Sequence, residues 1–395
     1  MKLKTTLNGK TFQFRDIKDV MAKANEPKSA DRFQKIAAET ATERVAAKIV
    51  LSELTVGDLV ENPTVPYEKD EVTRVNNDAI NRRAYEAKKN MTIGELREWI
   101  LDHKTTSDDL RRNTWAINGE VAAAVAKIMS AMDLVYGAKK IYHPTTCNTT
   151  IGIPGTLSYR CQTNSVTDDP QTILLGVMEG VSYGSGDACL GINPVEDNVN
   201  STRRIADALY EFMLKNEIPT QITVLSHITT QMESVRQGTP LSMFFQSIAG
   251  TGAACDNFGV NKALLEEAYA LARQSCLGTG PNLLYFETGQ GSEVSINADE
   301  GVDEMTLEAR TYGFARGFNP FMVNNVSGFI GPETIYDGKE MIRANLEDHF
   351  MGKMTGIPMG CDCCYTNHMM ADQNDIENLA VLLGSCGVNY VIGVP

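Results

Sequence analysis

A chain of 395 residues with 43% hydrophobic content can bury a large core without help from disulfides or a structural metal. Its 36 basic and 50 acidic side chains give a formal charge of -14, which repels polyanions and argues against nucleic acid as a partner. No apolar run approaches the roughly 20 residues of a membrane span, and the opening "MKLKTTLNGKTFQF" lacks the apolar centre of a signal peptide, so the expectation is a cytoplasmic protein without membrane contact.

In chain order, the alternating runs "LKTTL" and "KTFQF" flank Asn8-Gly9, a strong signal for a two-residue hairpin. From there to about residue 140 the apolar spacing is helical, most clearly in "ERVAAKIVLSEL", "TIGELREWIL" and "EVAAAVAKIMSAMDLVYGAKK". Residues 1–144 are therefore read as a hairpin plus a helical domain. Residues 145–395 change pattern: short β-rich runs alternate with amphipathic helices such as "TRRIADALYEFMLKN" and "NKALLEEAYALAR". The eight runs are "TTIGIP", "ACLGIN", "QITVLSH", "MFFQSIA", "LLYFETG", "FMVNNVSGF", "IPMGCD" and "NYVIGVP". Such alternation implies a parallel sheet covered on its faces, and the size and count match an α/β fold of the (β/α)8 TIM-barrel type. Counting alone leaves an open doubly wound sheet admissible. Asn374 and Glu377 are read as a capping box opening the last helix, and Gly387 as its end. No helix follows the eighth run, so the expected barrel lacks its final helix: either the chain is a fragment, or the first domain or a second chain supplies the cover.

Polar residues gather where the runs end, which in a barrel is the face where loops converge. The second run ends in Asn193-Pro194, the third in His227, the fourth in Gln246-Ser247, the fifth in Glu287-Thr288-Gly289-Gln290 and the seventh in Asp362; Arg160 and Gln162 are placed in the loop after the first. An Arg, a Glu and an Asp directed into one cavity suit a small polar ligand that all three can hold.

"GCDCCYTNH", residues 360–368, raises a metal reading, but Cys361 and Cys363 are two apart rather than in a Cys-x2-Cys pair, and in a strand they face opposite to Asp362. The nine cysteines, odd in number and scattered through apolar sequence, read as buried thiols of a reducing compartment. "GTGAAC" and "GSGDAC" carry Cys where a dinucleotide fingerprint needs its third glycine, and neither a Walker sequence nor a Gly-x-Ser-x-Gly elbow occurs.

"NTTIGIPGT", "GINPV", "LYFETGQGS", "GFIGPE" and "LEDHFMGKMTGIPMGCDCCYTNH" together closely resemble the large subunit of ethanolamine ammonia-lyase, an adenosylcobalamin-dependent radical enzyme, with the likeness running from Met1 to Pro395. The resemblance implies conversion of an amino alcohol, ethanolamine, to acetaldehyde and ammonia. It implies Glu287 beside both substrate ends, Arg160 and Asn193 near the hydroxyl, and Gln162 and Asp362 near the ammonium. It further implies that Pro194, Gln246, Ser247, Phe258, Ser295, Val326 and Phe329 line the cobalamin or its adenosyl group, with no protein metal ligand. A small subunit, a homo-oligomer within a hetero-oligomer and a cytoplasmic setting compatible with a bacterial microcompartment belong to the same expectation. In the family a further C-terminal stretch closes the barrel and adjoins the small subunit. "EDHFMG" is a near miss to the Asp-x-His-x-x-Gly signature that replaces the cofactor's lower base: Glu347 stands where Asp is required, and His349 falls in a helix, so His349 is read as structural. Two other readings stand beside this one: a metal-dependent barrel lyase or hydrolase using Asp362, His368 and cysteines, and a non-catalytic scaffold subunit.

Overall fold

The computed structural model describes residues 1–163, 165–328 and 334–393. The chain opens with an antiparallel hairpin, Lys4–Leu7 with Lys10–Gln13, turned by Asn8 at φ 51° and Gly9 at φ 75°, as a two-residue turn with both centres left-handed requires. Short helices fill the stretch from Ile17 to Lys139. Thr55, Thr92, Thr106 and Ser130 each start one through a reciprocal capping box, satisfying backbone donors that an uncapped helix leaves open.

The barrel strands are β1 (Ser158–Cys161), β2 (Cys189–Ile192), β3 (Ile222–Val224), β4 (Phe244–Ser247), β5 (Leu284–Thr288), β6 (Met322–Val326), β7 (Met359–Asp362) and β8 (Tyr390–Gly393). Their order is β3-β2-β1-β8-β7-β6-β5-β4, every paired neighbour parallel, which makes a nearly closed (β/α)8 barrel. The first strand corrects the sequence reading. "TTIGIP" contributes Thr150–Ile151 to a small hairpin with Thr145–Thr146 instead, and Arg160 lies within β1 rather than in a loop after it. "SYRC" hides its strand character because its inward residue is a charged one.

The seam between β3 and β4 is bridged largely by side chains. Gln231 is fully buried; its Nε2 donates to Ser226 O at 2.5 Å and Phe245 O at 2.8 Å, and its Oε1 accepts from Phe245 N at 2.9 Å. The amide thereby imitates a strand neighbour on both sides of the gap. Gln231→Leu leaves these backbone groups unpaired and is expected to cost about 1–3 kcal/mol, read as a lower urea midpoint; an unchanged midpoint would show that the seam does not need it.

Outside the barrel lie α1 (Pro170–Ser182), α2 (Val199–Lys215), α3 (Ile228–Arg236), α4 (Lys262–Ser275), α5 (Glu304–Arg316), α6 (Gly338–Thr355) and α7 (Gln373–Cys386). The capping box of α7 is formed by Asp372 with Asp375, not by Asn374 with Glu377, and Gly387 ends the helix at φ 71°. Every residue of α5 is buried, because the N-terminal helices cover the face that a barrel helix normally shows to solvent. Charged pairs sit in that junction: Lys28 with Glu347 at 2.6 Å, Lys127 with Asp303 at 2.5 Å, and Arg310 with Asp70 at 2.8 Å and Glu120 at 2.5 Å. Residues 1–144 and 145–395, the two units read from the sequence, share one continuous apolar core. Among the described residues no helix is long and apolar enough to cross a membrane.

Candidate active site

The inward side chains at the C-terminal ends of the strands converge on Arg160. Gly191, next to it on β2, makes the room: a Cβ there would lie 2.6 Å from Arg160 Nε. Arg160 is wholly buried, and each nitrogen of its fork is used. Nη1 donates to Tyr285 Oη at 2.6 Å and Glu287 Oε1 at 2.9 Å; Nη2 donates to Asn193 Oδ1 at 2.8 Å and Gly191 O at 3.2 Å; Nε donates to Gly191 O at 3.3 Å. Tyr285 closes the triangle by donating to Glu287 Oε1 at 2.7 Å. Burial pulls the guanidinium pKa down, but Tyr285 and Glu287 outweigh it and hold it above the ordinary arginine value. A buried cation with a planar, bidentate-capable head thus lies at the centre of a fully hydrogen-bonded set.

Asp362 ends β7 on the inward side. Its Oδ1 accepts from Ser327 N at 3.1 Å, and its Oδ2 from the Cys364 thiol at 3.3 Å. Ser327 Oγ donates to Asp362 O at 2.6 Å and Cys364 O at 2.9 Å, stapling the end of β6 to β7. Burial, and then the negative charge of Glu287, push the Asp362 carboxyl up to about 7. Burial and the Asp362 charge in turn push Cys364 up to about 12, so it stays a thiol and a donor. Cys361 faces the other way, its sulfur on Asn345 Oδ1 at 3.3 Å. The fold therefore brings Arg160, Asn193, Glu287 and Asp362 to one end of one barrel. Gln162, two residues beyond Arg160 on the same side, donates its backbone N to Gly393 O at 2.9 Å and is partly buried at the rim.

A family model described as "Ethanolamine ammonia lyase large subunit" matches residues 12–395. The chain belongs to the ethanolamine ammonia-lyase large-subunit family. It is 52% identical to the ethanolamine ammonia-lyase large subunits of Salmonella typhimurium strain LT2 and Escherichia coli strain K12, over 100% of this chain and 87% of each relative. A solved phospho-2-dehydro-3-deoxyheptonate aldolase from Thermotoga maritima aligns over 62% of this chain and 61% of its own, at 11% identity and a TM-score of 0.34, too little likeness to bear on function.

The remaining described positions that the resemblance to ethanolamine ammonia-lyase brought forward lie at strand ends or in the segments that follow them. Pro194, Ser247 and Val326 are partly exposed at the ends of β2, β4 and β6, and Phe258 is half-buried just after the short helix Gly252–Asn257. Ser295 turns its hydroxyl back onto Gly291 O at 3.0 Å. Gln246, near the end of β4, accepts on its Oε1 from Ile228 N at 3.0 Å, at the start of α3. Phe329 lies outside the described residues. Of the two histidine questions, His349 is buried in α6 with Nδ1 on Asn345 O at 3.0 Å, and burial lowers its pKa to about 3; Glu347 pairs with Lys28 and Arg343. His368 is exposed while Cys361 is buried and turned away, an arrangement that does not favour the metal reading, and among the described residues no group of three His, Cys, Asp or Glu could hold a metal ion. Tyr285, Ser327 and Cys364 escaped the sequence reading. The only available signal was parity: Tyr285 stands two residues before Glu287 on the same face.

Proposed function

We propose that the chain is the catalytic large subunit of an adenosylcobalamin-dependent ethanolamine ammonia-lyase, working with a small subunit in a hetero-oligomer in the cytoplasm or a bacterial microcompartment. The observation that carries this is a charge count at the barrel mouth. Above pH about 7, where Asp362 is ionised, Glu287 and Asp362 outnumber the one buried guanidinium, Arg160, and one small cation brings the set to neutrality. Ethanolamine is such a cation, and its hydroxyl is a second handle of the right kind for Arg160 and Asn193.

The mouth also suits a corrin. Pro194, Val326 and Phe258 offer apolar surface at the strand ends, and Ser247 offers a hydroxyl beside Glu287. His227, the histidine at the strand ends, is engaged on both ring nitrogens, Nδ1 with Thr229 Oγ1 at 2.8 Å and Nε2 with Phe258 O at 3.0 Å, so it is not free to replace a lower base. Bound adenosylcobalamin supplies the homolytic chemistry that breaks an unactivated carbon-hydrogen bond, for which no side chain is a strong enough base. The residues have the complementary tasks. Arg160, held by its partners, polarises the substrate oxygen through its positive charge. Asp362 and Gln162 hold the ammonium, Glu287 spans both ends, and the enclosed barrel limits the positions that reactive carbons reach.

Mixing the chain with an active small subunit, adenosylcobalamin and ethanolamine is expected to bleach the cobalt-carbon absorption and release acetaldehyde; the absence of both contradicts the assignment. The raised pKa of Asp362 adds a pH test. Below about 7 its carboxyl takes up a proton and loses its pull on the ammonium. KM for ethanolamine should then rise by about tenfold per pH unit, and Asp362→Asn should remove that limb. A KM that stays flat a full unit below this value would contradict the role given to Asp362.

A further inference from the structure

Two deeply buried polar groups inside the barrel have no hydrogen-bond partner among the described residues. Asn324, 1% exposed, leaves both Oδ1 and Nδ2 unpaired, and Tyr390, fully buried, leaves its hydroxyl unpaired. Alternation along β6 decides where Asn324 points. Asn325 turns outward, donating to Asn345 Oδ1 and Asp348 Oδ2 on α6 at 2.8 Å each, so Asn324 turns inward. There its register neighbours are Glu287 on β5 and Gly360 on β7. Gly360 is a glycine because the tip of the Tyr390 ring occupies the space beside it: a Cβ would lie 2.1 Å from Tyr390 Cζ. The ring thus crosses β7 from β8 and carries its hydroxyl toward β6, where Asn324 stands. Glu287 stands beside them and, unlike them, is partly exposed, its side chain 18% accessible. Its Oε1 accepts from Arg160 and Tyr285, whereas no hydrogen bond from a described residue reaches its Oε2.

Polar groups this far from solvent are almost always paired, with protein or with ordered water. We propose that Asn324 and Tyr390 form an internal site for a single water molecule, which is the hydrogen-bond partner of Glu287 Oε2. The water donates to Glu287 Oε2 and to Asn324 Oδ1 and accepts from the Tyr390 hydroxyl, three partners in all, the usual number for an internal water. Arg160 and Tyr285 fix one oxygen of the carboxylate, and the water fixes the other. Asn324 and Tyr390 are thereby positioning residues for Glu287, a role that rests on the reading of Glu287 as a substrate-binding group.

A crystal structure of the chain with its small subunit, without substrate and at a resolution that shows ordered water, tests the site directly. The expected result is a density peak within hydrogen-bond distance of Asn324, Tyr390 and Glu287 Oε2. Absence of that peak overturns the proposal, whatever the chain turns over, so this arm separates its failure from failure of the ethanolamine reading. Kinetics of the holoenzyme test the positioning role. Tyr390→Phe removes only the hydroxyl and should lower kcat by about tenfold, the order of one lost hydrogen bond in the transition state, with KM and melting temperature nearly unchanged. Asn324→Ser should recover part of the rate lost in Asn324→Ala. Wild-type kcat in both Tyr390→Phe and Asn324→Ala, or a loss of rate only in step with a loss of stability, overturns the positioning role.

Discussion

Replacing Glu287 with Gln is expected to lower kcat/KM for ethanolamine by at least about a hundredfold to a thousandfold, the scale seen when a preorganised electrostatic contact is removed from a reacting site. The change keeps the shape of the side chain and removes its charge. Arg160 retains Tyr285, Asn193 and the Gly191 carbonyl as partners, so the strands should stay in place and the melting temperature should fall by only a few degrees. The site, however, loses one of the two carboxylates that a cationic substrate neutralises. Steady-state kinetics with the small subunit and cofactor present read the effect, alongside thermal melting of the same preparation. A variant of wild-type rate would remove Glu287 from the mechanism, and a variant that fails to fold would show that the pair with Arg160 is structural first.

The second large effect lies at the junction between the N-terminal helices and the barrel. Arg310, on the fully buried α5, donates to Asp70 and Glu120 of the N-terminal helices, to Thr73 Oγ1 at 2.9 Å and to Gly250 O at 2.8 Å. Asp70 caps the helix Glu71–Asp78 and also accepts from Gly252 N at 2.6 Å, so one guanidinium ties that helix, the loop after β4 and α5 together. Arg310→Met is expected to destabilise the chain by about 3–5 kcal/mol, because it leaves two buried carboxylates without their cation. Denaturant unfolding reads this as a large fall in midpoint, and Arg310→Lys should fall between the two, since a lysine keeps the charge but not the fork. An unchanged midpoint in Arg310→Met would mean that the junction is held by apolar packing alone.

The barrel was readable in the sequence because seven of its strands carry apolar runs and its helices carry a clear apolar face. β1 was not, because its inward residue is Arg160, and a buried arginine reads as a loop until its partners are known. Those partners, Asn193 and Glu287, are 33 and 127 residues away in the chain, a distance that no local pattern spans. Asp362 was legible by parity: in "GCDCC" it must face opposite to Cys361, and Cys361 does turn outward to Asn345. The same argument applied to "LYFET" points Tyr285 and Glu287 to one side, yet a tyrosine in a strand usually means core, so it drew no notice. Gln246 stands at a strand end, where its Oε1 accepts from the first amide of the next helix, a contact that local pattern does not announce. The capping box of α7 shifted for a similar reason, since both "DQND" and "NDIE" contain acceptable caps and local pattern does not choose between them.

In the proposed complex Glu287 and Asp362 hold one small aminated alcohol between them beside a buried arginine. A structure of the chain with small subunit, cobalamin and ethanolamine tests this most directly. The ammonium is expected within hydrogen-bond distance of Asp362 and Glu287, with the hydroxyl against Arg160 and Asn193. Ethanolamine bound elsewhere, or lying in the barrel with its ammonium out of reach of both carboxylates, would contradict it.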